Sequence, residues 1–286
     1  YYESNDLVAT ISKVTDDIVK TVAPGVRSVR IPHAVDTEVF KKIEKADETY
    51  QKYLDFKGDK TLFFWNNRNA RRKQSGTLIF WFNDFLEKVG KEEAVLLMHT
   101  DPADPNGQDL PEIIKHLNLE GRVFLSTHKL PPEELAKMYN IADCTINISD
   151  AEGFGLSTLE SLACETPILV NLTGGLQEQV KNDKGDVFGI GLQPVSKSVI
   201  GSLTVPWIFE DRVSKEDFLQ ALEEFHNMTP AHREELGRQG RGHVLGEYNM
   251  EKYIETWSKE LTLLHKELGS WGARKEYKSW RMEEVV

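Results

Sequence analysis

Short apolar runs that alternate with helical patterns from residue 61 onward predict an α/β fold, a doubly wound parallel sheet with a helical C-terminal tail. Two further observations support this class. The runs are almost continuously apolar, as strands covered on both faces must be. Basic or glycine-rich segments follow several of them, where loops at the carboxyl ends of parallel strands would form a ligand edge.

Taken in order, residues 7–12, 13–22 and 26–31 read as strand, helix and strand, a β-α-β piece too small to stand alone. Ile31-Pro32-His33-Ala34-Val35-Asp36 reads as a connector, and the charged stretch 41–60 as a helix and a loop. The main strands are predicted at 61–65, 94–99, 122–126, 144–149, 167–171 and 186–190. Leu78, Phe82, Phe85 and Val89 recur at helical spacing between the first two. Pro132-Glu133-Glu134 opens another helix, with Pro at its start and acids in its first turn. Residues 191–212 fit no strong period and read as an insertion or long loop. In the tail, Phe218, Leu222 and Phe225 form one stripe. Ile254, Trp257, Leu261, Leu264 and Leu268 alternate steps of three and four, as in a helix packed along a groove. Trp271, Tyr277 and Trp280 are assigned to core packing.

The 286 residues can bury a sizeable core, and the formal net charge of −11 argues against a nucleic-acid binder. Cys144 and Cys164 are isolated, so neither a disulfide framework nor a zinc site is expected; they read as free thiols in a reducing compartment. No apolar stretch approaches the roughly 20 residues that span a bilayer, and no secretory leader is read. Tyr1 stands where an initiator Met would, so a piece of a longer chain is expected.

Three segments on the predicted ligand edge carry the chemistry. Asp150-Ala151-Glu152-Gly153-Phe154-Gly155-Leu156-Ser157-Thr158-Leu159-Glu160 places two carboxylates around a Gly-Phe-Gly turn that opens a helix near Ser157. Glycines let the backbone turn tightly, and the first amides of the helix form an anion site. Ser157 and Glu160 also fit a capping box, in which Glu160 is only a helix-start signal. Asn66-Asn67-Arg68-Asn69-Ala70-Arg71-Arg72-Lys73 follows the first main strand and suits the charge of a diphosphate. Thr173-Gly174-Gly175-Leu176-Gln177-Glu178 is a third glycine-bearing turn between strand and helix. No carboxylate cluster has convincing metal spacing, so no metal is expected.

Glu152 and Glu160, separated by seven residues and joined to Gly153-Phe154-Gly155, resemble the signature of retaining GT-B glycosyltransferases, most closely glycosyltransferase family four. Arg68 and Lys73 are similar to that family's donor-diphosphate pair, and residues 31–36 with Phe40 to its interdomain connector. Leu135, Tyr139, Ala142 and Asp143 resemble the segment before the catalytic loop, and Gly174-Gly175 with Glu178 the segment after it. Asn67 stands where the family usually has Gly, and Met98-His99-Thr100-Asp101-Pro102 replaces a glycine-rich turn.

The resemblance implies two Rossmann-like domains with a cleft between them. Residues 1–38 would be a remnant of the N-terminal domain plus connector, 39–250 the nucleotide-sugar-binding domain, and 251–286 a crossover helix and tail. It implies diphosphate contacts from Arg68, Lys73 and Ser157, and contacts to sugar or phosphate from Gly153, Phe154, Gly155 and Leu156. Glu152 would lie at the reacting carbon, and Glu160 would take the ribose hydroxyls. Thr127, Lys129 and Leu130 would flank the base. The expected reaction is transfer of a hexosyl group from a UDP- or GDP-sugar to a hydroxyl on a glycan, lipid or protein glycan, with retention and without a cofactor. The alternatives are a donor-binding module that needs an N-terminal domain partner, or another GT-B enzyme such as a sugar-nucleotide epimerase. The expected location is the cytoplasm, with peripheral attachment to a membrane left open.

Overall fold

A computed structural model describes residues 2–45 and 47–270; Trp271, Tyr277 and Trp280 lie outside the described residues. The chain begins with β1 (Val8–Thr10), α1 (Lys13–Val22) and β2 (Ser28–Arg30), and the two strands pair in parallel. The Ser12 side chain caps α1 by accepting from the Thr15 amide. After the connector comes α2 (Glu48–Lys57), capped in the same way by Asp47.

The main layer follows as β3 (Thr61–Asn66), α3 (Ser75–Val89), β4 (Ala94–His99), α4 (Leu110–His116), β5 (Val123–Ser126) and α5 (Pro132–Ile141). It continues as β6 (Cys144–Asn147), α6 (Leu156–Ala163), β7 (Ile168–Asn171), α7 (Leu176–Val180) and β8 (Gly189–Leu192). These six strands form one parallel sheet in the order β5-β4-β3-β6-β7-β8. The order reverses between β3 and β6, so the crevice outside their carboxyl ends is where a ligand would sit.

Both faces of the sheet are buried, which explains the apolar runs. Along β3, Leu62 and Phe64 join a core with residues of α2, α5, α6 and the later helix α9 (Pro230–Glu247). Phe63 and Trp65 point the other way, into a core with residues of α3, α4 and α8 (Lys215–Asn227). The stripe Phe218, Leu222 and Phe225 is fully buried there, as its spacing predicts. Cys144 and Cys164 are buried free thiols, and burial pushes both upward in pKa.

Three expectations change. The last sheet strand lies at 189–192 rather than 186–190. Residues 191–212 are not a loop: β9 (Ser196–Ile200) and β10 (Ile208–Arg212) form an antiparallel hairpin outside the main sheet. On α10 (Met250–Leu268), Ile254 and Leu261 are exposed, and the buried residue is Glu260, paired at 2.6 Å with Arg27. The apolar period of α10 therefore marks an amphipathic helix without a fully covered stripe.

The opening β-α-β piece is tied to the main layer by charge. Arg30 pairs with the Glu178 carboxylate at 3.0 Å, and the Lys13 amide donates to the same carboxylate at 3.3 Å. The Glu178 carbonyl accepts from His243 Nε2 at 2.9 Å and from the Tyr248 hydroxyl at 3.2 Å.

Candidate active site

The loops after β3 and β6 meet across the point where strand order reverses. Lys73 lies in a short 3₁₀ turn, Arg71–Lys73, and is buried. Its ammonium donates to Asn67 Oδ1 at 2.8 Å and to a carboxylate oxygen of Glu152 in a short contact. Burial lowers the Lys73 pKa, while the charge of Glu152 opposes that shift. Arg72 reinforces the join, donating to the Ala151 carbonyl at 2.7 Å. The Asp150 amide in turn donates to the Arg72 carbonyl at 2.8 Å. The residues singled out on two separate loops thus converge on one carboxylate.

Arg68 belongs to the same loop but points elsewhere. Its guanidinium makes a forked contact with Asp104 at 2.5 and 3.2 Å, and the side chain is exposed. Asp104, on the loop after β4, is held well below the usual carboxylate range by that guanidinium. Buried Asn69 fixes the two loops together, donating to the carbonyls of Gln108 at 2.7 Å and Pro102 at 3.3 Å.

The Gly-Phe-Gly turn is shaped by close backbone contact. Gly155 has φ of 92°, a left-handed conformation suited to glycine. Gly174 has φ of 49°, and a Cβ there would fall 1.6 Å from the Glu152 carbonyl oxygen. The glycine pair after β7 is therefore a bed for the Glu152 backbone. Buried Gln179 holds the turn from below, donating to the carbonyls of Phe154 at 2.7 Å and Gly155 at 3.1 Å. Phe154 is buried edge-on against His33 of the connector and Tyr248.

Helix α6 starts at Leu156, one residue before the predicted Ser157, with Gly155 as its N-cap. The cap makes no side-chain hydrogen bond, so Ser157 and Glu160 do not form a capping box. Glu160 instead accepts from the Tyr139 hydroxyl at 2.7 Å, and that hydroxyl accepts from Asn66 at 2.8 Å. Burial raises Glu160 to about 7, against the lowering effect of the Tyr139 hydrogen bond. Gly153, Phe154, Gly155, Leu156 and Ser157 lie in sequence between the two acids, at the amino end of α6. Thr127 and Lys129 are exposed after β5, and Leu130 packs against the core on the α5 side.

Residues outside the predicted set complete the edge. Asp150 is buried and accepts from Arg212 at 2.5 Å, and Gln74 also donates to it. Glu210 is buried and takes both outer nitrogens of Arg71, at 2.9 and 2.6 Å. Asn171 donates to the carbonyls of Ser149 at 2.9 Å and Asp211 at 3.2 Å. The base of the hairpin thus clips the loops after β3, β6 and β7. Asp150 and Arg71 were visible as charges in the predicted loops, but nothing in 191–212 announced their partners. Among the described residues, no group of three His, Cys, Asp or Glu side chains is arranged to hold a metal ion.

Comparison with known proteins agrees with this architecture. Sucrose-phosphate synthase from Thermosynechococcus elongatus superposes with a TM-score of 0.74 over 93% of this chain and 60% of that one, at 21% identity. Anabaena HepE, solved in complex with UDP and glucose, gives a TM-score of 0.66 over 90% of this chain and 63% of that one, at 13% identity. These likenesses show the GT-B fold. In sequence, the D-inositol 3-phosphate glycosyltransferase of Xylanimonas cellulosilytica is 26% identical over 210 residues, covering 70% of this chain and 48% of the relative. The N-acetyl-alpha-D-glucosaminyl L-malate synthase of Bacillus anthracis is 23% identical over 202 residues, covering 68% of this chain and 50% of the relative. The chain spans about half the length of these two curated relatives. The family model for glycosyl transferases group 1 matches residues 46–243, more than half of the sequence, and the chain belongs to that family.

Proposed function

We propose that this chain carries the donor half of a glycosyltransferase that moves a hexosyl group from a UDP- or GDP-sugar to a hydroxyl acceptor, with retention at the anomeric carbon. The observation that carries the reading is the meeting of Lys73 and Glu152 outside the carboxyl ends of β3 and β6. A diphosphate seated there would face a buried ammonium and the free amides of the first turn of α6, and Arg68 would join them only on leaving Asp104. As the bond between the sugar carbon and the diphosphate breaks, its electron pair goes to the phosphate oxygen. These fixed positive groups stabilise that charge. Glu152 would orient the donor sugar or stabilise positive charge on it. Glu160 would accept from the ribose hydroxyls, Ser157 would contact phosphate, and Thr127, Lys129 and Leu130 would flank the base.

Calorimetric titration with UDP and GDP tests the site. Lys73→Ala should weaken binding of the preferred nucleotide about tenfold to a hundredfold, since a hydrogen bond to a charged group contributes about 1.5–3 kcal/mol. Binding unchanged in both Lys73→Ala and Arg68→Ala would sink the reading.

A second reading is that this chain binds the donor but depends on a further domain for transfer. Nucleotide-sugar binding with neither transfer nor hydrolysis would select it.

A further inference from the structure

The β9–β10 hairpin carries a surface that the donor site does not use. Residues 201–209 are exposed without interruption, among them Leu203, Val205, Trp207, Ile208 and Phe209. Leu203 is fully exposed, Trp207 64% and Phe209 62%. Contiguous apolar exposure of this kind marks an interaction surface. We propose that this tip docks into the interfacial layer of a lipid bilayer of no net charge.

The charge distribution suits a neutral lipid surface. In a chain that is 28% charged, residues 198–209 contain no charged side chain. The charges of the hairpin sit at its base and turn to partners there: Arg212 to Asp150, Glu210 to Arg71, Lys197 to Asp211 at 3.8 Å. The tip can therefore enter a headgroup layer without burying an ion, the step that costs most.

Several of its polar groups are paired within the hairpin. The Ser202 amide donates to the Val205 carbonyl at 2.7 Å, and the Val205 amide to Ser202 Oγ at 3.2 Å. The Ser202 and Thr204 hydroxyls bond each other at 3.1 Å, and Ser198 Oγ accepts from Arg212 at 3.0 Å. Each such pairing lowers the cost of moving the tip out of bulk water. Trp207 adds an amphipathic ring of the kind enriched where hydrocarbon meets headgroups. The base is clipped to the sheet, so the tip is held outward. Shallow insertion, on the order of 5–10 Å, needs no spanning segment. No helix of the described residues is long and apolar enough to cross a membrane.

The test is co-sedimentation with phosphatidylcholine vesicles. The unaltered chain should partition onto them and remain bound at high salt, because the contact is apolar. Leu203→Asp combined with Trp207→Asp should weaken partitioning about tenfold or more, given about 1.5–3 kcal/mol for each large apolar side chain withdrawn from water. Both positions are exposed, so the thermal midpoint should hold. As an independent measurement, brominated phosphatidylcholine should quench the indole emission of the unaltered chain, and Trp207→Phe should remove that quenching. Failure to sediment, loss of binding at high salt, or equal binding by the double variant would overturn the proposal. So would concentration-dependent self-association abolished by the same substitutions, which would make the tip a protein contact. Nucleotide binding measured on the same variants keeps this outcome separate from the donor-site reading.

Discussion

Glu160 shows how one half-buried carboxylate couples stability and binding to pH. Its ordinary value is 4.5 and burial raises it to about 7 in the folded chain. The folded state thus holds this proton more tightly than the unfolded state. The resulting stabilisation is fully present below 4.5 and is lost as pH rises through about 7. Urea midpoints should show this loss, and Glu160→Gln should flatten it. Ligand binding runs the opposite way. If ribose hydroxyls donate to this carboxylate, only its ionised form accepts them fully. Nucleotide affinity should then rise with pH, by about tenfold per unit below 7, and level off above. Calorimetry in buffers of different ionisation enthalpy would detect the released proton; a flat profile would remove Glu160 from the ribose role. Lys73 and Glu152 form the complementary pair: each covers the other, so an anion seated at the ammonium would compete with a carboxylate for it.

At the scale of elements, the glycine turns are the most demanding positions. Gly174→Ala would place a methyl group on the Glu152 carbonyl and would hold an L-residue at φ of 49°. A cost of about 1–3 kcal/mol from overpacking is expected, with more from the backbone strain. Urea denaturation would measure it, and nucleotide binding should fall in parallel. Arg212→Ala should cost about 3–5 kcal/mol, because it removes the counter-charge beside buried Asp150 and Glu210. If its denaturation midpoint matched the parent, the hairpin base would not be a clip.

These two cases mark what the sequence could and could not disclose. The main strands were legible because burial on both faces leaves continuous apolar runs, and the three site loops because glycine and charge punctuate them. The hairpin was not legible: its faces are mostly exposed, so no alternation of apolar and polar residues is enforced. Gln179 was not legible either, because a buried amide inside a helix looks like any surface glutamine until its two carbonyl partners are known. The stripe on α10 reads as a helix packed along a groove, yet Ile254 and Leu261 are exposed, because a period does not say what covers it.

For the whole molecule, the point of interest is how the opening β-α-β piece reaches the site. Arg30 and the Lys13 amide hold Glu178, and the turn before α7 supports the Glu152 backbone through Gly174. Arg30→Ala should leave the sheet intact while speeding amide hydrogen exchange at residues 153–155; unchanged exchange there would show that the two ends are independent. Glu178 lies only four positions beyond Gly174. The ion pair with Arg30 and the glycine bed under the Glu152 backbone therefore share one short segment, so whatever fixes the opening strands also fixes the turn that carries the site carboxylate.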